Sequence, residues 1–217
     1  MFLPLFIAAV VGYLLGSLPI GYLVARANGV DIFKAGSGNP GATNVKRVLG
    51  SRAGNLVYVL DALKGVVAAG WPVVWCLAVH RSANGPGEGI PAAYVWGIPG
   101  LVAAVVGHSF SVFTHFKGGK GVATASGGLF VLMPVPGLIA VLVWCVTFLA
   151  SRYVSLASIL GALSVPAAAW SLGLPLALEI VATVLSLLVV LRHHANIRRL
   201  LAGTEHRWER KRSGGAS

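Results

Sequence analysis

Apolar runs long enough to cross a bilayer recur along the whole chain, and no other feature limits its possible folds so strongly. In hydrocarbon every backbone N–H and C=O must be paired within its own segment, so runs of this kind read as helices. Of the 217 residues, 56% are hydrophobic and 11% are charged, against about 25% charged in an ordinary soluble domain. The expected fold is therefore all-α, a polytopic transmembrane helix bundle. It forms one domain over residues 1–212, followed by a flexible end at 213–217.

Seven spans are expected, at 3–25, 56–79, 92–106, 122–133, 137–150, 154–172 and 176–191. Pro134, Pro136 and Gly137 divide the apolar stretch 122–150 into two. Charge supports the division, because two spans put Arg152 on the same side as Lys117. With the N-terminus extracytoplasmic and the C-terminus cytoplasmic, Arg81 is the one exterior residue among seventeen Lys and Arg. The net charge of +11 is then the bias of cytoplasmic loops rather than the footprint of a nucleic-acid partner. The first charge, Arg26, follows the first apolar run, so no cleavable signal peptide is expected. Cys76 and Cys145 lie inside apolar runs and read as packing residues.

Three polar segments fall on the cytoplasmic side of this topology. Residues 35–47 read Ala-Gly-Ser-Gly-Asn-Pro-Gly-Ala-Thr-Asn-Val-Lys-Arg. Gly-Asn-Pro-Gly is strong turn chemistry, but a plain turn does not require Ser37, Thr43, Asn44 and Arg47 close together. These side chains suit the hydroxyls and phosphate of a small ligand. Residues 107–124 read Gly-His-Ser-Phe-Ser-Val-Phe-Thr-His-Phe-Lys-Gly-Gly-Lys-Gly-Val-Ala-Thr. Gly118, Gly119 and Gly121 leave the backbone open to a ligand, and their N–H groups are candidates for an anion nest. Lys117 and Lys120 add point charges beside it, and Thr124 adds a hydroxyl at a helix start. A basic loop that simply obeys the positive-inside rule is the plainer account.

The third segment, 192–205, carries Arg192, His193, His194, Asn196, Arg198, Arg199 and Glu205. If it continues the last span as a helix, Arg192, Asn196 and Arg199 share a face and reach one anion together. A juxtamembrane basic segment touching anionic lipid is the alternative. Adjacent histidines point to different helix faces and have no nearby Cys or carboxylate companion, so no metal site is expected. Outside the loops, Asp61 and Lys64 lie three apart on one helix face, where they can pair.

Absent motifs narrow the chemistry. Gly-Gly-Lys-Gly-Val is not a Walker loop, and no Gly-x-Ser-x-Gly elbow occurs. No His has an Asp five positions later, the spacing of the common lipid acyltransferases. The intramembrane charges Asp61, Lys64 and Glu179 leave a transporter of a phosphate ester or other anion as the rival class.

Taken together, the three segments resemble the bacterial membrane glycerol-3-phosphate acyltransferases that use acyl phosphate as donor, the PlsY family. The resemblance covers nearly the whole chain and rests on three motifs in order. These are residues 37–44; Gly107-His108 through Thr124; and His193, Asn196-Ile197, Arg199-Leu200, Gly203 and Glu205. Asp61-x-x-Lys64-Gly65 is similar to a further family feature. Two positions depart from the pattern: Ser111 replaces a proline, and His194 replaces an arginine.

The resemblance implies acyl transfer from acyl phosphate to the 1-hydroxyl of sn-glycerol 3-phosphate at the cytoplasmic face of a bacterial inner membrane. Lysophosphatidic acid and phosphate are the products. It implies no cofactor, no metal, and no acyl-CoA or acyl-carrier protein. Ser37, His193 and Lys117 are the expected catalytic set. Gly38, Thr43, Asn44, Arg47, His108, Gly118, Gly119, Lys120, Gly121, Thr124, Asn196, Arg199 and Glu205 are the expected substrate-binding set. Within it, Lys117, Lys120 and the glycines are expected at the donor phosphate. Ser37, Thr43, Asn44, Arg47, Asn196 and Arg199 are expected at glycerol 3-phosphate, and Glu205 orients a cation.

Overall fold

A computed structural model of the chain describes residues 2–84 and 90–208, with backbone alone at 80–84 and 90–92. The expected end at 213–217 lies outside the described residues, as does the side chain of Arg81. The described residues are all-helical: α1 (Phe2–Ser17), α2 (Ile20–Ala27), α3 (Ala42–Leu49), α4 (Ser51–Asn84), α5 (Ile90–Val95), α6 (Ile98–Ser109), α7 (Val122–Leu132), α8 (Pro134–Ser151), α9 (Val154–Ser171), α10 (Leu176–Arg192) and α11 (His194–Leu201).

Each expected span is helical, but not each is long enough to cross. Five segments have the length and apolarity to do so, at 2–27, 51–79, 93–114, 134–151 and 154–171. A sixth is α10 with α11, taken as one span bent by 58°. The expected fourth span is only the 11 residues of α7, about 16 Å of helix against a hydrocarbon core of about 30 Å. The break before Pro134 stops α7 at Leu132, because proline cannot donate to the preceding turn. Two expected loops are also shorter than foreseen. Residues 26–54 contain α3 and the start of α4, and α4 continues past His80 to Asn84.

Small residues set the helix contacts, as they do where lipid removes the usual apolar drive for helix association. Gly12 and Gly16 let α1 meet the backbone of α6 at Gly100 and Ala104. Gly65 and Gly127 do the same for α4 and α7, against Thr124 and Ala62. A Cβ at any of the four would strike backbone. Leu101, Val105, Leu129, Leu132, Leu178 and Leu185 build the central core. A second cluster, Ala25, Ile32, Val45 and Val57, anchors the first polar loop and α3 onto α4. Large aliphatics face outward, among them Leu142, Leu149 and Leu187. A soluble monomer does not tolerate so much exposed apolar surface; a bilayer covers it.

Candidate active site

The first loop is built around Asn44. Its side-chain amide donates to the Ala35 carbonyl at 3.0 Å, and its Oδ1 accepts from the Ser37 amide at 2.9 Å and from Arg47 at 3.2 Å. Gly36 has φ +59°, and a Cβ there would collide with Oδ1 of Asn44. Only glycine satisfies both conditions. Asn44, expected at the substrate, is 2% exposed and clamps the loop from within. Ser37, which it holds, is exposed, as is Arg47; Gly38 and Thr43 are half-buried.

The glycine–lysine loop follows α6, and its glycines face inward. Cβ atoms at Gly118, Gly119 and Gly121 would meet the His108 carbonyl, the His108 ring and Val105. The Gly119 N–H donates to the His108 carbonyl at 3.0 Å. The glycines therefore allow the loop to lie flat against α6, and one donor of the expected nest is already occupied. Arg192 reaches across from α10. Its guanidinium donates to the carbonyls of Gly118 at 3.0 Å and of Gly119 at 2.9 and 3.2 Å. Lys117 is exposed at the loop's edge. Thr124 is fully buried, with its carbonyl against Gly65, because the first turn of α7 turns that face towards α4. The expected substrate hydroxyl thus lies in a helix seam.

Ser111 keeps the conformation of the proline it replaces, with φ −70° and ψ 124°. Its hydroxyl donates to the Ser17 carbonyl on α1, so the loop gains a tie at this position.

The third segment bends at His193, which parts residues expected on one continuous face. Arg192 stays with the loop carbonyls, while Asn196 and Arg199 lie on α11. Asn196 receives Lys120 Nζ at 2.6 Å on its Oδ1 and donates to Glu205 at 2.7 Å. Glu205 also accepts from Arg199 Nε at 2.7 Å and from the Ser155 hydroxyl at 2.8 Å. Ser155, at the start of α9, joins the site without any sequence signal beyond a hydroxyl in an apolar helix. His193 is buried, with Nδ1 2.7 Å from the Val189 carbonyl. A carbonyl only accepts, so Nδ1 carries the hydrogen and Nε2 keeps its lone pair.

Charge is balanced tightly here. Burial holds the Lys120 amine down, against the pull of Glu205 and with help from Arg199, Arg47 and Arg192, so that it titrates at about 8. Burial pushes Glu205 up, but hydrogen bonds from Asn196, Arg199 and Ser155 outweigh it and keep the carboxylate below its ordinary range. Burial lowers Arg47, with Glu205 opposing and Arg199 adding. Segments distant in sequence thus share one field: Arg47, Lys120, Asn196, Arg199 and Glu205. No group of three or more His, Cys, Asp or Glu suited to a metal ion occurs among the described residues.

Known proteins resemble the chain over nearly its whole length. A relative from Aquifex aeolicus, described as glycerol-3-phosphate acyltransferase, is 45% identical over 196 residues, covering 90% of this chain and 95% of its own. One from Endomicrobium trichonymphae with the same description is 41% identical and covers 91% of this chain and 92% of its own. The crystal structure of PlsY (YgiH), an integral membrane glycerol 3-phosphate acyltransferase, in its glycerol 3-phosphate form superposes with a TM-score of 0.81. It is 40% identical and covers 94% of this chain and 96% of that one. Its lysophosphatidic acid form gives 0.77. These likenesses favour an acyltransferase over the transporter. With the family model for glycerol-3-phosphate acyltransferase matching residues 6–203 as well, the chain belongs to that family.

Proposed function

We propose that this acyltransferase moves a fatty acyl group from acyl phosphate to the 1-hydroxyl of sn-glycerol 3-phosphate, giving lysophosphatidic acid and inorganic phosphate. The observation that carries this reading is the convergence of Arg47, Lys120 and Arg199 around Asn196 and Glu205, with the buried imidazole of His193 in the field of Lys120 and Glu205. Both substrates carry phosphate, and this is a site where several cations face one small space. Lys117 and Lys120 hold the donor phosphate. Arg47 and Arg199 hold the phosphate of the acceptor, with Ser37 and Thr43 beside its glycerol hydroxyls.

An acyl phosphate is a mixed anhydride with a good leaving group, so orientation and charge stabilisation supply most of the catalysis. The C1 oxygen of glycerol attacks the acyl carbon, the bond from that carbon to the bridging phosphate oxygen breaks, and the hydroxyl proton leaves with the phosphate. Nε2 of His193 accepts a hydrogen bond from the attacking hydroxyl and aims it. Lys120 neutralises charge that grows on the leaving phosphate. Ser37 binds substrate and forms no acyl-enzyme; a covalent acyl adduct on Ser37 in quenched turnover would remove this step. The acyl chain stays in the bilayer, which accounts for a site at the helix ends. The concentration of Lys and Arg on that side supports a cytoplasmic site in a bacterial inner membrane, with the N-terminus outside.

The test is turnover by purified protein given acyl phosphate and labelled glycerol 3-phosphate. Lysophosphatidic acid is expected with no acyl-CoA or acyl-carrier protein present. Product that forms only when acyl-CoA is added overturns the donor.

A further inference from the structure

Asp61, Lys64 and His108 form a buried cluster beneath the glycine–lysine loop that the proposed chemistry does not use. Lys64 Nζ lies 2.9 Å from Asp61 Oδ1 and donates to the carbonyls of Gly16 at 2.8 Å and Leu18 at 3.0 Å. With two carbonyls, an ion-pair partner and only 6% exposure, this ammonium is closed off from a substrate. Asp61 Oδ1 stands 3.5 Å from Nδ1 of His108. The adjoining cleft, shared with Lys117, Gly118 and Gly119, has a volume of about 20 Å³. That is room for about one water and not for a phosphate.

We propose that Asp61, Lys64 and His108 are positioning residues that fix the register of the glycine–lysine loop and so deliver Lys120 to Asn196. Lys64 ties α4 to the broken end of α1, where the carbonyls of Gly16 and Leu18 lack a continuing helix. Asp61 Oδ1 faces the Nδ1 side of the His108 ring across 3.5 Å, and Nε2 points towards Gly119. There the ring fills the space that any side chain at 119 would need. The His108 carbonyl takes the Gly119 N–H on the same side. Arg192 grips the carbonyls of Gly118 and Gly119 from the other. The loop is gripped from two directions one residue before Lys120, and its freedom to slide is removed. His108, expected from the sequence to touch substrate, acts here through Gly119.

This inference rests on the loop being the acyl-phosphate site, and the experiment separates the two ideas. Asp61→Asn, His108→Ala, Gly119→Ala and the double variant His108→Ala/Gly119→Ala are compared for kcat and for both KM values in detergent. Asp61→Asn is expected to raise KM for acyl phosphate about tenfold and to leave KM for glycerol 3-phosphate within about twofold. Gly119→Ala alone is expected to lose about a hundredfold in kcat/KM, the scale of a misplaced group. In the double variant the missing ring makes room for the new methyl, so its loss does not exceed that of His108→Ala.

A double variant that loses the product of the two single losses overturns the proposal. So does an Asp61→Asn enzyme that loses kcat with both KM values unchanged, the mark of less folded protein. If KM for glycerol 3-phosphate moves instead, with the cycle still coupled, the positioning role stands and the donor assignment fails. Should Asp61→Asn not fold, the His108–Gly119 cycle decides alone.

Discussion

Two ionic networks flank the glycine–lysine loop. Beneath it Asp61 and Lys64 are 3% and 6% exposed and form an ion pair enclosed by His108 and two helix-end carbonyls. Above it Glu205 is 8% exposed, but its partner Arg199 is 41% exposed and uses only Nε on the carboxylate. The remaining guanidinium donors of Arg199, with Arg47 and Lys120 close by, stay available to an anion. On the proposed reading the closed network holds structure and the open one receives the ligand. Sequence alone offers both as charges near a membrane boundary; the number of free donors separates them.

Removing an open cation should cost most. Lys120→Met is expected to lower kcat/KM by about 10²–10³-fold, as deletion of one preorganised donor does, read from initial rates. A loss of only a few-fold would move the donor phosphate elsewhere. Glu205→Gln is next. It keeps a partner for Asn196 and Ser155 but gives up the charge that balances Arg199, and about a tenfold loss is expected. The corresponding change in the closed network, Asp61→Asn, should act on KM instead, as described above.

The pH profile sharpens the same contrast. Lys120 titrates at about 8, below its ordinary 10.5, so the folded protein sheds this proton before the unfolded chain does. Between those values the unfolded state binds more protons, and Lys120's contribution to stability rises with pH. Activity moves the other way: kcat/KM should fall as pH rises through about 8, since that ratio reports the free enzyme. Lys120→Arg should flatten this limb because guanidinium stays charged. A limb at the same pH in Lys120→Arg would assign it to another group.

Smaller effects are expected in the loops that carry the networks. Asn44→Ala should raise KM for glycerol 3-phosphate by about tenfold, because it frees the Ser37 amide and the Ala35 carbonyl together. Ser111→Pro should stay within about twofold of the parent in activity. The backbone already fits proline, and the lost hydrogen bond of about 1 kcal/mol is offset by the stiffer unfolded chain. A large loss would mean that the tie to Ser17 matters more than the conformation.

Much of this molecule is legible in its sequence. Apolar runs make the chain a helical membrane protein because hydrocarbon leaves the backbone no other partner. The order of three polar motifs points to an acyltransferase, since each motif is a local pattern of residues. The reach of side chains is not local. Lys120 meets Asn196 across 76 positions, and the bend at His193 leaves Arg192 with α10 on the glycine carbonyls while Asn196 and Arg199 go with α11. Thr124 is lost to the α4–α7 seam because Gly65 lets the two backbones touch. Residue spacing says which groups share a helix face. Which neighbour that face meets, and how many donors remain after meeting it, was decided only by the packing of whole helices.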